Sequence, residues 1–161
     1  MSEVQPQSPS LDTSMGDGRE SPLVIVVELD GSPTSWDAFS WAAGHAAAGH
    51  GQLIAVYVAP PIAAGVAVGA PIDYVAVEQA RKEVVGQLKD QAQQRAGELG
   101  VPIRFVRESG EAAHALTDVA LVTHADLIVV GKSAKMLHHF AGSLGRRLVG
   151  RRDTPVTVVV P

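Results

Sequence analysis

A run of Val and Ile ends in Leu29-Asp30-Gly31-Ser32, and far along the chain Leu127-Ile128-Val129-Val130 runs into Gly131 and on to Gly142-Ser143. A carboxylate at the mouth of one strand and a glycine-serine turn at the mouth of another are residue types from which an anion pocket is built. Orphan backbone N–H groups at a helix start bind phosphate, and glycine allows close approach to the backbone. In an open α/β sheet the ligand crevice lies outside the carboxyl ends of the strands, where strand order reverses. Turns of this chemistry at two strand ends therefore predict a nucleotide pocket.

Those turns need elements to hold them. Leu23 to Leu29 is a nearly continuous β-branched run, the pattern of a strand covered on both faces. Ser32-Pro33 reads as an N-cap and first helical position, after which Ala38, Phe39, Ala42, Ala43 and Ala46 recur at helical spacing until Gly49-His50-Gly51 stops them. Leu53 to Val58 is a second strand cut off by Pro60-Pro61, and Ile62 to Asp73 is a Gly/Ala/Pro-rich loop near the pocket mouth. A long helix follows from Tyr74 to Leu99, with Val77, Ala80, Val84, Leu88, Ala92, Ala96 and Leu99 as one core stripe and Gly100 as its left-handed exit. Ile103 to Val106 is a third strand, Glu111 to Thr123 a helix with Ala115, Leu116, Val119 and Val122 inward, and Leu127 to Val130 a fourth strand. Gly142 opens the last helix, which runs to Arg152, and Val156 to Val160 is the final strand. Strands alternating with helices through five units predict a parallel sheet with right-handed crossovers and helices on both faces.

The composition, 46% apolar and 19% charged over 161 residues, fits one α/β domain long enough to bury a sizeable core. Residues 1–21 read as a disordered polar tail and 22–161 as the domain. There is no cysteine, which excludes thiolate catalysis, disulfides and Cys-based metal sites. With no secretory signal and no apolar run of membrane-spanning length, the chain is expected to be cytoplasmic and to make no membrane contact. A net charge of −4 argues against general affinity for nucleic acid. Even so, Lys132, Lys135, Arg146, Arg147, Arg151 and Arg152 crowd around the glycine-serine turn. They form either a solvated helix face or an anion-attracting rim.

Several tempting motifs fail on spacing. Gly131-Lys132-Ser133 is no Walker A loop, because Asp126 stands where the first glycine is required. His138 and His139 are adjacent, point apart on a helix and have no carboxylate at ligand spacing, so no metal site is expected. Trp36 and Trp41 read as packing residues. No G-x-S-x-G surrounds Ser32 or Ser35 and no base stands ready to activate water, so the chain reads as a binding module, at most a slow ATPase.

Four stretches resemble the universal stress protein family, in order, from Pro22 to Pro161: VVELDGSPTSWDAFSWA, ESGEAAHALTDVA, HADLIVVGKS and AGSLGRRLVGRRDTPVTVVVP. The resemblance implies a Rossmann-like five-stranded parallel sheet of order 3-2-1-4-5 that binds ATP or another adenine nucleotide, such as AMP or cyclic AMP, with Mg as a companion ion. It implies that Asp30, followed by Gly31, faces the ribose or a phosphate-bound metal, and that the Val58 backbone reads the adenine edge. It further implies that Gly131 releases the chain from its strand into Lys132, Ser133 and Ala134, and that Gly142, Ser143 and Leu144 meet the phosphates. Asp30 as a plain Asp-Gly turn opener and Val58 as an ordinary strand valine stay open. The family loop is G-x2-G-x9-G-[ST], whereas this chain has G-x2-A-x7-G-S. If Ala134 must adopt a left-handed backbone the cost is about 1–2 kcal/mol, although Lys132, Ser133 and Lys135 offer charge and a hydroxyl in return. The resemblance also implies a homodimer through strand 155–160 and a downstream protein partner of unknown identity. The alternative is a family member that has lost its nucleotide and serves as a dimeric interaction scaffold.

Overall fold

The strand-helix alternation is realised as β1 (Val24–Glu28), α1 (Pro33–Ala48), β2 (Gln52–Ala59), α2 (Tyr74–Glu98), β3 (Ile103–Ser109), α3 (Ala112–Val122), β4 (Leu127–Gly131), α4 (Leu144–Val149) and β5 (Val156–Val160). The computed structural model describes residues 21–59, 73–132, 144–150 and 155–161. The strands pair in parallel in the order β3-β2-β1-β4-β5, as expected. The polar segment 1–20, the loop 62–72 and both ends of the expected last helix, Gly142-Ser143 and Arg151-Arg152, lie outside the described residues.

β1 is apolar throughout its first four residues because each side of the sheet is covered. Ile25, Val27 and Leu29 join Leu53, Ala55 and Val129 under α1 and α2, whose contributions are mostly alanine with Phe39. Val24 and Val26 join Ile54, Val56, Ile128 and Val130 under Ala113, Leu116, Val119 and Ala120 of α3 and Leu148 of α4. Alternation of side chains along a strand divides the two sets, and small helix residues let the layers approach closely.

Local chemistry sets the helix ends. The Ser35 N–H donates to Ser32 Oγ at 3.2 Å, Pro33 opens α1, and Gly49 closes it ahead of His50, which takes φ +49°. Glu111 caps α3, its carboxylate accepting from the N–H groups of Ala113 at 3.1 Å and His114 at 2.9 Å. Gly100 adopts φ +66° after α2, the left-handed exit expected of it. At the amino edge of the sheet the Val24 N–H donates to Asp126 Oδ2 at 2.8 Å, tying the start of β1 to that of β4. Asp126→Ala strands that part-buried N–H and is expected to lower stability by about 1–2 kcal/mol. Urea unfolding with an unchanged slope and a lower midpoint checks it; an unchanged midpoint refutes it.

Three expectations are corrected. In α2 only Leu88, Ala92 and Ala96 of the predicted stripe are buried, while Ala80, Val84 and Leu99 are exposed. A helix this long spans ~37 Å against ~23 Å for the neighbouring β3, so it overhangs the sheet. The overhang is the amino-terminal half of α2, beside the carboxyl ends of the strands, where Glu78 pairs with Arg107 of β3 at 3.1 Å. In α3, Val122 points to solvent at 81% exposure, and Ala113, Thr117 and Ala120 turn inward beside Leu116. Val122 lies six residues beyond Leu116, about 240° around the helix, and so cannot share its face. The buried Thr117 hydroxyl is satisfied by donating to the Ala113 carbonyl at 2.7 Å. Finally, β2 and β3 run past their predicted ends to Ala59 and Ser109, paired in register to the last residue.

Candidate functional site: the crevice between the ends of β1 and β4

The chain leaves β1 toward α1 on one face and reaches β4 from α3 on the other. The connections therefore diverge between these two strands, the place where an open sheet forms a crevice. Gly131 closes the distance between their ends. A Cβ there would strike the carbonyl carbon and oxygen of Thr34 and come within 2.9 Å of the Ser35 nitrogen, all backbone atoms. Glycine alone lets the first turn of α1 rest against the exit of β4, which brings the Asp30-Gly31-Ser32 turn beside it.

Within that turn, Asp30 Oδ1 accepts the Ser32 N–H at 2.8 Å and Gly31 takes φ +86°, where an L side chain is strained. The turn-opening role of Asp30 is thus visible, and its carboxylate is exposed. Leu88 of α2 lies behind Gly31, 3.3 Å from where a Cβ would stand, and clusters with Tyr57, Ala59, Trp36, Val85 and Phe105. Trp36 is a packing residue, edge-on to Phe39 at 5.4 Å between ring centroids and covered by the Arg95 guanidinium at 4.1 Å. Trp41 packs against the core beneath α1 and stacks on His45, centroids 3.6 Å apart.

Val58 sits half-buried near the end of β2. The Val56 carbonyl accepts the Leu29 N–H at 2.9 Å. By strand alternation, the N–H and C=O of Val58 point the same way, beyond the place where β1 turns off. Lys132 is exposed, and its N–H donates to the Val160 carbonyl at 2.7 Å, so the exit of β4 stays tied to β5. Leu144 packs half-buried against the cluster that holds Val130 and Leu148, and buried Gly145 leaves room for Val159. Of the six crowded cations, Arg146 is exposed and Arg147 pairs with Glu111 at 3.2 Å. Ser133, Ala134, Gly142 and Ser143 lie outside the described residues, as do Lys135, His138, His139, Arg151 and Arg152. Among the described residues no group of three or more His, Asp or Glu could hold a metal ion. A hollow of about 390 Å³ between β3 and α3, floored by Val106, Ala115 and Val119, contains none of the predicted site residues.

One further acidic residue, outside the expected set, stands at these strand ends. Glu28 ends β1 on the α3/α4 face, and burial, reinforced by the like charge of Asp30, pushes its carboxyl pKa up to about 7. The available signal was an acid at an alternating position of an otherwise continuous apolar strand.

The molecule is thus a doubly wound α/β domain whose topological switch point falls between β1 and β4. The family model of the universal stress proteins matches residues 23–160, and the chain belongs to that family. It is similar to a universal stress family protein of Burkholderia pseudomallei, at 27% identity and TM-score 0.70 over 87% of this chain and 96% of that one. It is likewise similar to the universal stress protein UspA of Lactobacillus plantarum, at 24% identity and TM-score 0.70 over 87% and 98%. A universal stress protein solved in complex with cAMP aligns at 23% identity and TM-score 0.66 over 86% and 97%. Among curated proteins there is no significant match.

Proposed function

We propose that this protein binds an adenine nucleotide, whether ATP, AMP or cyclic AMP, in the crevice between the ends of β1 and β4. Occupancy would then report stress or energy state to a partner protein in the cytoplasm. The observation that carries this reading is the close approach of the first turn of α1 to Gly131, which sets the Asp30 turn beside the exit of β4 at the carboxyl ends of the strands. Relatives solved with cAMP, with dAMP and with AMP lend it support. In this reading the Val58 N–H and C=O take the adenine edge, and Asp30 accepts from ribose hydroxyls or faces a Mg ion on the phosphates. The glycine-serine turn at Gly142 and Ser143, with Leu144 following, contributes amide hydrogens to the phosphates, and Lys132, Ser133 and Ala134 line the approach. The protein acts as a binding module without efficient catalysis. Calorimetry with each nucleotide, alongside mass spectrometry of small molecules released on denaturation, tests it. Saturable one-to-one heat with at least one nucleotide is expected; no heat with any of them favours the dimeric scaffold.

A homodimer through 155–160 belongs to the same proposal, because β5 is an edge strand and Val156 and Val159 are exposed at 67% and 43%. Val160 turns its backbone to β4, so Val159 turns its own outward. Val159→Pro therefore removes an outward N–H without touching the β4 ladder and is expected to convert dimer to monomer in light scattering. A dimer that persists in this variant excludes pairing through this edge.

A further inference from the structure

On the face of β1 that looks toward α3 and α4, Val24 and Val26 are followed by Glu28. Its partner in register on β2 is Val56, and on β4 it stands one residue past the Val27–Val129 pair, level with Val130. A carboxyl group is therefore held half-buried between two valine-lined strands, at the point where the sheet opens its crevice. An ionised carboxylate gains nothing from valine surroundings, and Asp30, whose charge acts on it, has the same sign.

We propose that Glu28 is a specificity-determining residue of the crevice, admitting adenine nucleotides of low phosphate charge, cyclic or simple monophosphates, and discriminating against the triphosphate. The inference rests on the crevice being the nucleotide site. Repulsion between a carboxylate and a bound anion grows with the charge of the anion, and a partly buried pair is screened little by salt. A triphosphate brings several negative charges toward Glu28, and a cyclic monophosphate brings one.

The discrimination depends on pH, because burial lifts the Glu28 carboxyl to about pH 7: above it the group is charged and excludes polyanions, below it the group is neutral and does not. The described charged groups carried at this end by the elements of that face are Asp30 on β1, Lys132 at the exit of β4, Glu108 on β3, His114 on α3, Arg146 on α4, and Glu111 of the α3 cap, which is paired with Arg147 of α4. The partner of Glu28 in register on β2, Val56, carries no charge.

Calorimetry of the full chain with cyclic AMP and with metal-free ATP, at pH 6 and pH 8, for the wild type and Glu28→Gln, tests the proposal. At pH 8 the wild type is expected to prefer cyclic AMP by roughly tenfold or more, a margin that shrinks severalfold at pH 6. Glu28→Gln is expected to tighten ATP by roughly fivefold or more at pH 8 while changing cyclic AMP less than about twofold. The ratio measured for the variant at the two pH values corrects for protonation of ATP itself. Binding with an ATP to cyclic AMP ratio that is unchanged in the variant overturns the role of Glu28 and leaves the nucleotide reading standing. A corrected wild-type ratio equal at both pH values overturns it without relying on the variant. Failure of both proteins to bind either nucleotide at either pH overturns this inference, and the nucleotide reading falls with it if AMP and Mg-ATP also give no heat.

Discussion

Gly131→Ala is expected to lose about 2–3 kcal/mol of stability and to abolish whatever the crevice binds, because the added methyl has nowhere to go. Its neighbours would be the Thr34 carbonyl and the Ser35 nitrogen, backbone atoms of the first turn of α1 that cannot swing aside as a side chain can. Relief requires α1 to shift off β4. That shift would carry the Asp30-Gly31-Ser32 turn away from the exit of β4 and unstack Phe39 and the alanines of α1 from the core. Gly44→Ala is the control: it lies in the same helix with nothing within 4 Å of its Cβ position, and it should raise stability by about 0.5–1 kcal/mol. Urea denaturation of both variants makes the comparison. Equal stability of Gly131→Ala and wild type would remove the claim that this glycine seats α1 against β4.

The second large effect is a dependence of stability on pH that belongs to one residue. Folding raises the Glu28 carboxyl from 4.5 to about 7, through burial first and the charge of Asp30 second. Between those values the folded chain holds a proton that the unfolded chain has released. Stability from this group is therefore intact below pH 4.5, declines as pH rises through the window and stays lost above 7. The loss is on the order of 3 kcal/mol. Glu28→Gln cannot ionise, so the variant should be more stable than wild type at pH 8, and the advantage should vanish or reverse near pH 4.5. Unfolding midpoints of the two proteins at both pH values measure it. A difference between them that does not change with pH would contradict the burial of an ionising carboxyl at this position.

The sheet order, the cap at Ser32 and the helix exit at Gly100 were legible in the sequence or in its family resemblance. Each depends on residues within a turn or two of one another, or on the alternation of whole elements. The candidate site was legible in part. Asp30, Gly31, Val58 and Gly131 do gather at one end of the sheet, while the reason Gly131 must be glycine lies in Thr34, far away in the chain. The stripe of α2 was over-read because periodicity repeats along a helix whether or not a sheet lies beneath it, and this helix outruns its strands. Val122 was misplaced for a related reason, since an apolar residue near an inward stripe carries no mark of the angle at which the helix docks.

Local composition and period by themselves determined the class of fold, the five strands and the capped start of α1, because each follows from steric and hydrogen-bonding preferences of nearby residues. Only the tertiary structure decided that α1 presses its first turn on Gly131, that α2 projects past the strands, and that Glu28 lies half-buried beside the crevice. Burial and close approach are properties of the neighbours a residue acquires, and those neighbours come from distant parts of the chain.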